Sequence, residues 1–192
     1  VFPSHGDGCQ FSGNRVVFQG IGSVKVKDHR PIQGTIKTVS FKREADRWFV
    51  VVACDLGDAP PRVTDRPAVG IDLGLSAFLV TSDGETVEPP RFARRTQAKL
   101  RRGQRALARC QRGSNRRRKV KLRVARGHAK VANQRRDFHH KTAKTLTDRY
   151  GVVCIEDLNV RGITTSRLAK AAHDAGWAQF VAILNSKAEE AG

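Results

Sequence analysis

The chain of 192 residues carries 36 Lys and Arg against 18 Asp and Glu, and this net charge of +18 predicts a polyanionic partner. A hydrophobic content of 39% excludes a wholly disordered basic tail, and the length allows one domain or two small ones. The longest apolar run, residues 48–54, is too short to cross a bilayer, so we expect no transmembrane helix and no membrane partner.

The first third of the chain reads as a small β module, because apolar and polar residues alternate along it. Four strands are expected, at residues 15–19, 23–27, 35–42 and 47–54. We interpret them as a meander that forms part of a barrel with open edges. The stretch 56–67 is rich in Gly, Pro and Asp, and it is the expected linker between domains at 1–66 and 67–192. Three polar residues of this module are interpreted as loop residues rather than ligands: His5, Asp7 and His29.

The next predicted strand, residues 68–74, is apolar but carries one acid, Asp72, near its end. Burying a carboxylate is costly unless it is paired, hydrogen-bonded or bound to a metal. The simpler alternative is that Asp72 caps the turn at Gly74. Two further strands are expected at 76–82 and 85–87, joined by a hairpin turn.

Residues 91–149 hold the entire charge excess, with 22 Lys and Arg against only Asp137 and Asp148. The segment is rich in good helix formers, and its apolar residues recur at helical spacing. That apolar stripe consists of Val120, Val124, Val131, Phe138, Thr142 and Leu146. We predict two basic helices joined by a short turn, with Gly113 as the C′ residue of the first and Ser114 as the N-cap of the second.

Nearly all charged residues of this segment are positive, and like charges four residues apart destabilise a helix by roughly 0.2–0.5 kcal/mol per pair. An anionic partner would neutralise this repulsion, so the segment indicates such a partner. The alternative is a solvated charged face. Aromatic residues are scarce, which favours phosphate contacts along a duplex over base stacking on a single strand. The predicted nucleic-acid-binding residues are Arg101, Arg102, Arg105, Arg116, Arg117, Arg118, Lys119, Lys121, Arg123, Arg135, Arg136 and Lys141.

A second apolar strand, residues 152–155, also ends in acids, Glu156 and Asp157. Because it follows a long helix, we expect it to run parallel to an earlier strand, and the carboxyl ends of parallel strands meet at one edge. Asp72 and Glu156 are therefore expected to converge. Two such carboxylates repel unless a divalent cation such as Mg²⁺ lies between them, an arrangement typical of phosphodiester hydrolysis. Asp157 is interpreted as a cap rather than a ligand.

Other polar residues of the second half are given structural or supporting roles. Asp174 is expected to cap the helix that follows it. Arg135 and Lys141 lie off the apolar stripe and could hold phosphates near the acids. We expect no catalytic role for His139 or His140, because a metal-dependent site takes its base from bound water.

The four cysteines are scattered, and none forms a C-x-x-C pair, so we expect no zinc site built from this chain alone. Scattered cysteines fit a reducing, cytoplasmic setting. The chain contains no Met and begins with Val, and no signal peptide opens it, so we expect a fragment or a processed product.

Three motifs together resemble one family. Gly70-Ile71-Asp72-Leu73-Gly74, the Arg-Asp-Phe block at 133–141 and Ile-Glu-Asp-Leu at 155–162 are similar to TnpB (OrfB), the transposon-encoded RNA-guided DNA nucleases related to type V CRISPR effectors. Further similar stretches are residues 29–39, 167–170 and 177–180. The resemblance covers nearly the whole chain in the order of the family.

The resemblance implies an α+β protein with a wedge-type β-barrel followed by an RNase H-like RuvC nuclease domain with long inserted helices. It implies that Asp72 and Glu156 are the first and second RuvC acids and that they hold Mg²⁺ or Mn²⁺. The partners implied are guide RNA and target DNA, in the cytoplasm and nucleoid of a bacterium or archaeon. The family's third acid and its zinc ribbon lie beyond Gly192, so the chain alone is expected to be inactive.

Two other functions stay open. An ATPase of the actin and heat-shock type also has a phosphate loop that reads Gly-Ile-Asp-Leu-Gly. That family prefers a small polar residue after the second Gly, whereas Leu75 follows Gly74 here. A non-catalytic basic nucleic-acid-binding module would use Asp72 and Glu156 only as structural residues.

Overall fold

The structure, a computed structural model, describes residues 6, 8–27, 31–58, 65–156 and 169–191. The predictions for His5, Asp7, His29 and Asp157 lie outside these residues. The chain divides into two compact units, Val1–Ala59 and Pro60–Gly192. Strands and helices are both present, which confirms the α+β class.

The regular elements described in the first unit are all strands. They are β1 (Cys9–Ser12), β2 (Arg15–Phe18), β3 (Gly22–Lys25), β4 (Thr35–Glu44) and β5 (Arg47–Asp55). Strands β1 to β3 form an antiparallel sheet, and β4 pairs with β5 in an antiparallel hairpin. The four predicted strands are confirmed, whereas β1 was not predicted.

The expected four-stranded meander is wrong, because the described strands of this unit form two separate sheets. They also form no closed barrel of the kind that the family resemblance implies. β3 is exposed along its whole length, so pairing it with β4 would bury little apolar surface. The two sheets instead meet through Phe18 and Phe41, whose ring centroids are 4.2 Å apart. Cys9, Val16 and Val39 complete this small core.

In the second unit, four strands form one sheet in the order β8-β7-β6-β9. They are β6 (Ala68–Leu73), β7 (Leu79–Thr81), β8 (Thr86–Val87) and β9 (Val152–Ile155). β6 and β9 run parallel, which confirms the predicted pairing, and the other neighbours are antiparallel. β7 starts later than expected, because a hydrogen bond from the Gly74 amide to the Phe78 carbonyl (3.3 Å) closes a loop before it.

The helices of this unit are α1 (Phe92–Ala108), α2 (Asn115–Arg149), α3 (Ala169–Ala175) and α4 (Trp177–Ala191). The C-terminal half of α2 packs with α4 on one face of the sheet. The core there consists of Val69, Ile71, Leu73, Phe78, Leu79, Ala143, Leu146, Tyr150, Ala172, Trp177, Phe180 and Leu184. None of the helices described is both long enough and apolar enough to cross a membrane.

Helices α1 and α2 form the predicted basic hairpin. The side-chain oxygen of Ser114 accepts a hydrogen bond from the Arg117 amide at 3.2 Å, which confirms Ser114 as the N-cap of α2. The prediction for Gly113 is wrong, because α1 already ends at Ala108 and Gly113, with φ 81°, lies in the connecting turn. Of the predicted stripe, Val120, Val131 and Leu146 are buried and the others are half-buried.

Candidate functional site

Asp72 and Glu156 occupy matching positions at the ends of two neighbouring parallel strands. The last paired residues of β6 and β9 are Ile71 and Ile155, and each acid follows directly. The strands also start together, because the Gly151 amide donates a hydrogen bond to the Pro67 carbonyl at 3.0 Å. Each acid lies five residues beyond that bond, so equal lengths of strand bring the two acids side by side.

Both acids lie on the side of the sheet that faces away from the core. β6 buries Ile71 and Leu73 and exposes Asp72 between them. In β9, Ile155 is half-buried against the core, and Glu156 after it is exposed. Side chains alternate between the two faces of a strand, and neighbouring strands lie about 4.8 Å apart. Asp72 and Glu156 thus follow directly paired residues of adjacent strands, on the same face of the sheet.

Asp72 and Glu156 offer two carboxylate ligands, fewer than the three or more ligating side chains of a complete metal site. Within the described parts of the chain, neither carboxylate makes a hydrogen bond or ion pair, and no group of three or more His, Cys, Asp or Glu forms a metal cluster. The Gly74 amide donates to the Phe78 carbonyl, so the capping alternative for Asp72 finds no support there. Two carboxylate ligands suit Mg²⁺ or Mn²⁺, which take their remaining ligands from water and substrate phosphate oxygens.

The twelve predicted nucleic-acid-binding cations fall into two groups. Ten are exposed on the helical hairpin and on α2 beyond it: Arg101, Arg102, Arg105, Arg116, Arg118, Lys119, Lys121, Arg123, Arg136 and Lys141. Three of these also have partners on their own helix: Arg118 contacts Asn115, Arg136 contacts Asn133, and Lys141 pairs with Asp137. Such surface contacts are weak and leave the cations available to phosphates.

Arg117 and Arg135 are half-buried and bind backbone carbonyls. Arg117 Nη1 donates to the carbonyls of Leu107 (2.9 Å) and Cys110 (3.1 Å), and it thereby satisfies the end of α1. Arg135 Nη1 donates to the carbonyl of His173 at 2.7 Å, near the end of α3. These two guanidinium groups hold the helices together, because the last carbonyls of a helix lack partners within it.

His139 is a core residue and His140 is exposed. His139 is fully buried, and its ring stacks on Phe78 with centroids 5.5 Å apart. Its Nε2 lies 2.8 Å from the Ala175 carbonyl, so Nε2 carries the proton of the neutral ring. Burial lowers the pKa of His139, and the charge of Arg135 lowers it further, while the bond to Ala175 opposes them. Phe78 belongs to the core side of the sheet, opposite the two acids.

Two features of this unit were missed or misassigned from the sequence. Asp174 is a cap, but of α1: its carboxylate accepts hydrogen bonds from the amides of Ala93 (3.0 Å) and Arg94 (3.4 Å). The expected cap on the following helix is therefore wrong. The turn before β8 binds the end of α2, since Glu85 pairs with Arg149 and Asp83 accepts a hydrogen bond from Tyr150. No local pattern marks partners that lie more than 60 residues apart.

Comparison with known proteins points to one family. Residues 50–167 match the profile of the OrfB_IS605 family, described as "Probable transposase". A Streptomyces pristinaespiralis protein named "Putative RNA-guided DNA endonuclease" is 39% identical over 154 residues, covering 80% of this chain and 38% of that protein. "Putative RNA-guided DNA endonuclease InsQ" of Escherichia coli (strain K12) is 29% identical over 153 residues, with the same coverage of 80% and 38%.

A viral protein is a further relative. "TnpB-like protein L770" of Acanthamoeba polyphaga mimivirus is 28% identical over 155 residues, which cover 72% of this chain and 28% of that protein. The chain spans well under half the length of each of these curated relatives.

Proposed function

Since this chain belongs to the OrfB_IS605 family, the TnpB family of transposases, we propose that it forms part of an RNA-guided DNA endonuclease associated with transposition. Its second unit is proposed to be part of a RuvC-type, RNase H-like nuclease domain. Asp72 and Glu156 are proposed as two acids of the catalytic site, with guide RNA and target DNA as partners.

One observation carries the proposal. The parallel pairing of β6 and β9 puts Asp72 and Glu156 on the same exposed face, one residue beyond the last pair. Two carboxylates at one sheet edge are costly to hold together unless a cation neutralises them. Asp72 and Glu156 would hold Mg²⁺ or Mn²⁺, which when bound stabilises the charge that develops on a phosphodiester. A third acidic ligand, which the described residues do not offer, is part of the proposal.

The chain's own residues have two tasks in this scheme. Asp72 and Glu156 fix the cation at the edge of the sheet. The ten exposed cations attract the nucleic-acid backbone to the same unit through charge alone, without reading bases. The family's RNA guide would supply sequence specificity, as base pairing does in related effectors.

Cleavage by the native gene product, assembled with its guide RNA, tests the proposal. Asp72→Asn and Glu156→Gln keep the size of each side chain and remove its charge. We expect each to lower target-DNA cleavage by about a hundredfold or more, with guide-RNA affinity unchanged. Asp148→Asn, which removes an exposed acid paired with Lys144 on α2, is the matched control and should retain cleavage. Full cleavage by Asp72→Asn would remove Asp72 from the site.

The single-signed hairpin supports a second candidate, a nucleic-acid-binding module without catalysis. Its binding to duplex DNA should weaken steeply with salt and should survive Asp72→Ala and Glu156→Ala. Replacing Arg101, Arg102 and Arg105 by Gln should reduce the slope of log affinity against log salt by about 0.9 for each phosphate that the variant no longer neutralises. If binding survives and cleavage is absent from the intact ribonucleoprotein, this second function is the correct one.

A further inference from the structure

The turn between β7 and β8 contacts the end of α2 through two of its side chains, Asp83 and Glu85. Arg149 donates two hydrogen bonds to the Glu85 carboxylate, from Nη1 at 2.6 Å and from Nη2 at 2.7 Å. The Tyr150 hydroxyl donates to the Asp83 carboxylate at 2.8 Å, and Tyr150 is only 6% exposed. Isolated surface ion pairs contribute little to stability. A bidentate Arg–carboxylate contact beside a buried tyrosine, however, holds the turn and the helix end in one relative position.

The two residues at the end of α2 that make these contacts lie just before β9 in the sequence, and β9 leads to Glu156. Arg149 is the last residue of α2, Tyr150 follows it, and β9 begins at Val152. The same helix end also holds the start of β6, because Arg66 Nη1 donates to the Thr147 carbonyl at 3.0 Å. The starts of both acid-bearing strands are thus fixed to one point.

The sequence of β9 by itself specifies its register with β6 only weakly, so contacts outside the strand are needed to set that register. It has four residues, Val152-Val153-Cys154-Ile155, and all four are apolar. Among the described strands it pairs only with β6, and it lies at the edge of their sheet. Sliding it by one residue would replace Val153 and Ile155 at the core by Val152 and Cys154, which are also apolar, so hydrophobic burial resists the slip only through the smaller volume of the second pair. The same slip would turn Glu156 to the opposite face from Asp72.

We propose that Asp83, Glu85, Arg149 and Tyr150 are positioning residues that set the register of β9 and thereby hold Glu156 beside Asp72. We call these four residues the register clamp. Their effect on register depends only on the fold, whereas their effect on cleavage rests on the function proposed above. The Arg149 pair holds the pKa of Glu85 below its usual range, so the clamp stays charged through neutral pH.

A cross-link between β6 and β9 reports the register without metal or DNA. Gly70 pairs directly with Cys154, and among the described residues the one atom within 4 Å of a Cβ added at Gly70 is the Ser82 Cβ, at an ordinary 3.7 Å. Gly70→Cys should form a disulfide with Cys154 under oxidation, because paired residues of adjacent strands fall within the required Cα separation. No Cys154 atom lies within 4 Å of the added Cβ, so the bond forms at the long end of the Cβ–Cβ range and its rate is sensitive to small shifts of β9. The other three cysteines, Cys9, Cys54 and Cys110, are changed to Ala in this reporter. A one-residue slip places the two thiols on opposite faces and prevents the bond.

The clamp variants are compared in that reporter by the rate of cross-linking on non-reducing gels. Tyr150→Phe combined with Arg149→Gln should slow cross-linking by about tenfold, the effect of losing hydrogen bonds to a charged acceptor. Tyr150→Phe alone removes one hydroxyl and should give a smaller slowing in a folded protein. The charge-swap variant Glu85→Arg with Arg149→Glu exchanges the two charges of the ion pair and keeps Tyr150. Its cross-linking rate should be close to that of the reporter with the clamp intact. Asp148→Asn, next to the clamp in sequence but paired with Lys144, should leave the rate unchanged.

Two results overturn the inference: an unchanged rate in the double variant, or an equal slowing in the Asp148→Asn control. In the native gene product the double variant should lower cleavage while guide-RNA binding persists. The failure of the proposed function is a separate result, seen as full cleavage by Asp72→Asn while the cross-link still depends on the clamp.

Discussion

Removing the carboxylate of Asp174 is expected to loosen the first turn of α1, although the two lie about 80 residues apart in sequence. Arg91, at the N-cap position of α1, has a left-handed backbone with φ 49° and makes no side-chain cap hydrogen bond. Asp174 supplies the acceptors for the amides of Ala93 and Arg94 instead. Asp174→Ala therefore leaves both amides without their described partner.

The size of the effect follows from capping energetics. Loss of a side-chain cap costs about 0.5–2 kcal/mol, and a negative charge at a helix N-terminus adds about 0.3–1 kcal/mol. Asp174 is half-buried and makes two bonds, at 3.0 Å and 3.4 Å, so we expect about 1–2 kcal/mol for Asp174→Ala. Asp174→Asn keeps an acceptor and should cost about 0.5 kcal/mol, the charge contribution alone.

Hydrogen exchange resolves where the loss occurs. The amides of Ala93 and Arg94 should exchange about 5- to 30-fold faster in Asp174→Ala, the factor that corresponds to 1–2 kcal/mol. Glu189→Ala, which removes an exposed acid on α4, is the control and should change neither amide. Faster exchange at the start of α4, with Ala93 and Arg94 unchanged, would refute the assignment of Asp174 to α1.

Three further predictions concern the packing of the second unit. Phe180 is fully buried, so Phe180→Ala should lower the free energy of unfolding by about 3–5 kcal/mol in urea titrations, and a loss below about 1 kcal/mol would contradict the core described. Because burial lowers the pKa of His139, the unfolded chain binds a proton at this ring more readily than the folded protein does. The contribution of the neutral ring to the free energy of unfolding is therefore complete above a pH of about 6.5 and decreases as the pH falls below that value. His139→Gln should show a shallower fall, and an identical pH profile would count against the buried neutral ring. Ser114→Ala should cost about 1 kcal/mol in the same urea titration, and no loss would show that the N-cap is dispensable.

Local patterns in the sequence predicted the features that depend on neighbours in the chain. The alternation along 35–54 gave strands β4 and β5, and the helical spacing of apolar residues gave α2 with its N-cap at Ser114. The parallel pairing of β6 with β9 followed from a general rule on crossovers, and it brought Asp72 and Glu156 to one edge. Hydrophobic periodicity and helix capping depend on residues only a few positions apart, so a single sequence is enough to predict them.

The features that the sequence did not show are side-chain contacts made to other elements of the fold. Arg117 and Arg135 looked like the other cations of the hairpin, but unsatisfied carbonyls at the ends of α1 and α3 bind their guanidinium groups. Asp174 caps a helix about 80 residues earlier, and His139 lies in the core, where the Ala175 carbonyl accepts a hydrogen bond from its Nε2. The β strands of the first unit were found, but their division into two sheets depends on Phe18 meeting Phe41.

The most direct test of the central claim is anomalous scattering from crystals of the native gene product grown with Mn²⁺. A bound Mn²⁺ should lie within about 2.5 Å of carboxylate oxygens from both Asp72 and Glu156, because cations of this class take oxygen ligands at such distances. Mn²⁺ bound to only one of them, or the two carboxylates turned to opposite faces of the sheet, would contradict the account.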